Sequence, residues 1–69
     1  GEEKDEKDFI KFLINALGSV DETKVHLDCS QALGYLSDVD YKVLVDEYNV
    51  LGKQINSLIN KIDKEHKRY

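Results

Sequence analysis

Apolar residues return every three or four positions along most of this chain. Phe9, Leu13, Ala16, Val20, Thr23 and Leu27 form one such series, broadened by Ile10, Phe12, Leu17 and Leu33. Tyr41, Leu44, Tyr48, Leu51, Ile55, Leu58 and Ile62 form a second, unbroken one. Spacing of this kind gathers the apolar side chains on one side of a helix, so two amphipathic helices are predicted. Because the repeat holds at seven, about 3.5 residues per turn against a higher relaxed value, a shallow left-handed supercoil is predicted as well.

The stretch QALGYLSDVDY, residues 31–41, separates the two patterns. Gly34 can take the left-handed conformation that ends a helix, with Tyr35 behind it able to make an apolar contact back onto the last turn. Ser37 is an N-cap, and Asp38 and Asp40 set negative charge against the dipole of the next helix. Leu36 is placed to staple onto Tyr41. A reversal this short makes the two helices antiparallel neighbours. The chain therefore reads as a single all-α unit, with a helix over about 6–33, a turn at 34–37 and a helix over about 38–66. Gly18 and Gly52 interrupt the helical composition, each marking either a close approach of another helix or a tolerated weak point.

Two helices bury only the stripes they turn toward each other, and 69 residues in one hairpin enclose little core. Ile10, Leu17, Val43, Val45, Val50 and Ile59 are expected to lie off the central seam and to need another surface. A second copy of the chain is the simplest one, which makes the hairpin half of an up-and-down four-helix bundle completed by self-association. Ile10, Leu17, Val45 and Ile59 are the candidate contacts between chains.

Composition narrows the function classes. The charged fraction is 35% and the net charge −4, which describes a well-solvated surface rather than a strongly basic nucleic-acid binder. No apolar run is long enough to span a membrane and no signal-peptide pattern opens the chain, so a cytoplasmic protein is expected. The single cysteine, Cys29, has no internal partner and reads as a reduced, partly buried thiol.

Charge is nevertheless uneven. GEEKDEKD at the start holds five acids and two lysines, whereas NKIDKEHKRY at the end holds four bases and two acids. Acid at the first helix start and base at the last helix end suit the helix dipoles. Lys61, Lys64, Lys67 and Arg68 are also the candidate phosphate contacts for nucleic acid.

Catalytic and metal chemistry find no support. Glu22, His26 and Cys29 fall on one helical face, but a closed zinc site needs four ligands and a di-iron bundle needs paired Glu-x-x-His motifs. Cys29 has no positioned base, and phosphate-cradling glycine loops are absent. No catalytic residue, metal ligand or cofactor is assigned.

The segments DFIKFLINALGSVDE (8–22), ALGYLSDVDY (32–41) and QINSLINKI (54–62) occur in the order and at the separations of a known family. They resemble the second half of the bacterial four-helix-bundle proteins encoded within 23S rRNA intervening sequences. That resemblance implies an up-and-down bundle, a closed and often pentameric ring, no enzymatic activity, and a related accessory protein of retroelements that engages nucleic acid through a basic surface. The chain departs from the pattern in lacking the first two helices, in reading VDETKVH after Gly18 and Ser19, and in carrying Ser57 where glycine is frequent. Two function classes follow: an oligomeric, nucleic-acid-associated accessory, and a helical hairpin that binds a partner helix.

Overall fold

A helix that ends in glycine and restarts at a capped serine can only fold back along itself. The computed structural model describes the backbone of residues 2–66 and the side chains of residues 5–65. It contains helix α1, Glu2–Ala32, and helix α2, Asp38–His66, packed antiparallel as a hairpin with principal extents of 51 × 15 × 11 Å. No strand occurs among the described residues.

The reversal is built as the glycine predicts. Gly34 has φ +81°, the region a β-carbon disfavours. Tyr35 N donates to Ser30 O at 2.9 Å and Gly34 N to Gln31 O at 3.0 Å, the paired bonds of a Schellman ending, so two of the last carbonyls of α1 are satisfied. Ser37 Oγ accepts from Asp40 N at 3.1 Å, which caps the first turn of α2. The contact expected of Tyr35 is not made. Its side chain is 84% exposed, because the residue it would meet in this motif is Ser30, which offers no apolar surface.

The seam differs from the predicted one in its register. Leu13 and Val20 are the most deeply buried apolar residues described, each 6% exposed. A β-carbon on Gly52 would lie 3.7 Å from Leu17 Cδ1 and 3.8 Å from Val20 Cγ1, so Gly52 faces α1 directly. Leu17, expected off the seam, therefore stands on it, and Ile10, Val45 and Ile59 are half-buried too. Leu51 and Leu58, expected at the centre, are displaced to a flank with 41% and 39% exposure. The physical reason is that a glycine is the low point of a helix surface, so the opposing helix settles over Gly52 rather than over the larger leucines. Gly18, by contrast, has open space where its β-carbon would be.

Cross-helix polar ties hold the register along one edge of the seam. Lys24 Nζ donates to Asn49 Oδ1 at 3.1 Å, Gln31 Nε2 donates to Asp38 Oδ1 at 2.9 Å, and the Tyr41 hydroxyl donates to Asp28. Neither described helix is long and apolar enough to cross a membrane.

Gly34→Ala should destabilise the hairpin by about 1 kcal/mol or more, since alanine is strained at positive φ. An unchanged thermal midpoint would mean that the chain does not reverse through a left-handed residue there.

Candidate functional site

Each helix advances about 100° per residue, and the seam contacts fix where that rotation starts. On one side of the hairpin this brings together Asp21, Lys24 and Asp28 from α1 with Lys42, Asp46 and Asn49 from α2. That side is polar and internally bonded: Lys24 lies 3.7 Å from Asp21 and Lys42 3.3 Å from Asp46, beside the ties already described. Tyr41 also reaches this side through its hydroxyl.

The opposite side is apolar. Phe9 and Phe12 stack with ring centroids 6.5 Å apart and remain 43% and 65% exposed. Ala16, Ser19 and Thr23 continue the same side of α1 with small residues, while Leu44, Leu51 and Leu58 continue it along α2. The hydroxyls on this face already have partners, for Ser19 Oγ donates to Asn15 O at 3.2 Å and Thr23 Oγ1 to Ser19 O at 2.9 Å. They can be covered without stranding a donor. Beyond the face, Val39, Val43 and Val50 are exposed on the back of α2, and Ile14 and Val25 on the polar side of α1.

The accessible surface is 5553 Å², above the roughly 4,400 Å² of a compact monomer of 7.9 kDa, as an elongated hairpin of 51 × 15 × 11 Å requires.

The basic end is only partly described. Lys61 and Lys64 are exposed near the end of α2, while Lys67 and Arg68 lie outside the described residues. Glu22, His26 and Cys29 are all exposed on the outer surface of α1. Cys29 was expected to be partly buried; it is solvent-facing because its position on the helix points away from both the seam and the apolar face. Among the described residues, no group of three or more His, Cys, Asp or Glu is placed to hold a metal ion.

The Phe9, Phe12 and leucine face was written in the sequence but assigned to the seam. The signal in the sequence is Gly52, which faces Leu17 and Val20 across the seam and thereby turns its neighbour Leu51 toward the flank.

Tyr41 carries one titration with a consequence. Its hydrogen bond to Asp28, then burial, then the carboxylate's charge push the phenol's pKa above its ordinary value. A folded-state pKa raised above the unfolded one means stabilisation that is complete below the unfolded value and lost as pH rises through the folded value. Tyr41→Phe should therefore flatten the alkaline decline in stability, measured by thermal melts from neutral pH to above the phenol range. Identical alkaline profiles for the two proteins would remove Tyr41 from this role.

A family model described as 23S rRNA-intervening sequence protein matches residues 1–57. No curated protein and no solved structure matches the chain.

Proposed function

The chain belongs to the 23S rRNA-intervening sequence protein family, and on that premise we propose that it is a non-enzymatic, self-assembling helical protein of the cytoplasm that acts as a nucleic-acid-associated accessory. The observation that carries the assembly is the exposed apolar face of Phe9, Phe12, Leu51 and Leu58, with Leu44 half-buried beside it. Burying one side chain of that size is worth roughly 1.5 to 3 kcal/mol, and several together approach the roughly 5 to 15 kcal/mol that holds a whole domain folded. A second hairpin laid on this face completes a four-helix bundle. Ile10, Leu17, Val45 and Ile59, the chain-to-chain contacts expected from the sequence, are half-buried, Leu17 against Gly52, so the more exposed residues are the stronger candidates. Closure of such units into a larger ring, a pentamer by the family resemblance, would use apolar surface outside the face, such as Val43 and Val50 on the back of α2.

Folding and assembly then form one equilibrium, so helicity should fall on dilution and the melting temperature should rise with concentration. Light scattering should give the mass of at least two chains. Leu51→Glu with Leu58→Glu should shift the protein to single chains, because the introduced charges would be buried only in the assembly. A single-chain mass for the unaltered protein, with melting independent of concentration, would overturn the reading.

For nucleic acid, the support is the exposed Lys61 and Lys64, continued in sequence by Lys67 and Arg68. Phosphate contacts release counterions, so replacing all four with alanine should weaken RNA binding uniformly across sequences and flatten its salt dependence. If fluorescence anisotropy at low salt detects no RNA binding by the unaltered chain, the accessory role gives way to a helical hairpin that recognises a protein partner.

A further inference from the structure

The two mid-helix glycines stand at one level of the hairpin. Gly52 meets Leu17 and Val20 across the seam, and Gly18 lies between those two residues in α1. A single cross-section near the middle of both helices therefore passes through both glycines. Glycine in a helix interior disfavours the closed turn roughly fivefold relative to alanine, so each needs a reason. Space supplies none. A β-carbon on Gly18 would meet nothing within 4 Å, and on Gly52 it would sit in ordinary contact at 3.7 and 3.8 Å, so alanine fits at both positions. Backbone conformation supplies none either, because among the described glycines only Gly34 has positive φ.

Local bonding loosens α1 further at that level. Gly18 and Ser19 form a Gly-Ser pair, one of the few sequence features at which helices kink. Ser19 Oγ donates to Asn15 O and Thr23 Oγ1 to Ser19 O, so two carbonyls of the helix ladder are shared with hydroxyls, an arrangement that bends helices. The ties from Lys24 to Asn49, Asp28 to Tyr41 and Gln31 to Asp38, by contrast, all lie between the glycine level and the turn. On that side they fix the helices to each other.

We propose that Gly18 and Gly52 form a paired hinge, at which both helices bend together and the half of the hairpin away from the turn swings against the tied half. Two packed helices bend at one place only if both yield there, and the two glycines supply that yield at the same level. The swinging half carries the exposed Phe9, Phe12, Lys61 and Lys64, so a bend re-aims these groups while the ties near the turn stay made. The hinge belongs to a single hairpin and needs no second chain.

Residue-resolved amide hydrogen exchange reads the hinge. Bending opens the i to i−4 bonds that straddle each glycine, donated by residues 19–21 in α1 and 53–55 in α2. Their protection factors should be at least about fivefold below those of the amides on either side, a mid-helix dip that neither end fraying nor global unfolding produces. Gly18→Ala alone should shrink the dip in both helices, and Gly18→Ala with Gly52→Ala should abolish it, with circular dichroism showing that the variants keep the parent's helicity. Protection that declines smoothly from the middle of each helix to its ends overturns the hinge. A dip in α2 that Gly18→Ala leaves untouched makes the glycines two independent weak points and overturns it as well. So does a fall in mass on Gly18→Ala by light scattering, since Gly18 would then be a point of close approach for another chain.

Discussion

Two helices can hide from water only the line along which they touch, and nearly everything about this protein follows from that constraint. The contact line here passes through Leu13, Leu17 and Val20 on α1 and Gly52 on α2, and among the described residues only Leu13 and Val20 are nearly shut off from solvent. An apolar repeat wide enough for more than one neighbour then leaves the remainder of its stripe outside. The hairpin thus leaves large apolar side chains such as Phe12, Leu51 and Leu58 exposed.

Gly52 decides which part of the stripe is finished. By removing a side chain from the middle of α2 it draws Leu17 and Val20 inward, and the helix rotates so that Leu51 and Leu58 stand on the flank. The polar ties act in the same sense. Lys24 to Asn49, Asp28 to Tyr41 and Gln31 to Asp38 bridge the helices along one edge, while Phe12, Leu51 and Leu58 stand exposed along the other. Exposed ties of this kind contribute little stability each, so their main effect is on register.

The chain belongs to the 23S rRNA-intervening sequence protein family. What the fold displays is an exposed apolar face with Phe12, Leu51 and Leu58, and exposed Lys61 and Lys64 near the end of α2. An assembly built on that face would repeat its charged ends at fixed spacing. Repetition is how a chain of modest basic character gains on a polyanion, because linked weak contacts act at high effective concentration.

The sequence by itself determined the local structure. Three- and four-residue spacing dictates helices, Gly34 dictates where the first one stops, and Ser37 with Asp38 and Asp40 dictates where the second begins; each is a short-range effect carried by a few neighbouring residues. That one hairpin leaves apolar area uncovered was legible too, since apolar area and chain length can be counted without coordinates. Only the tertiary structure decided which apolar residues stay exposed. A stripe spanning much of a helix admits several rotations about its axis, differing by one residue in register, and all satisfy the same periodicity. The choice among them rests on contacts between residues far apart in sequence, Gly52 with Leu17 and Val20 and Tyr41 with Asp28, whose pairing depends on how two surfaces fit rather than on any pattern along one of them.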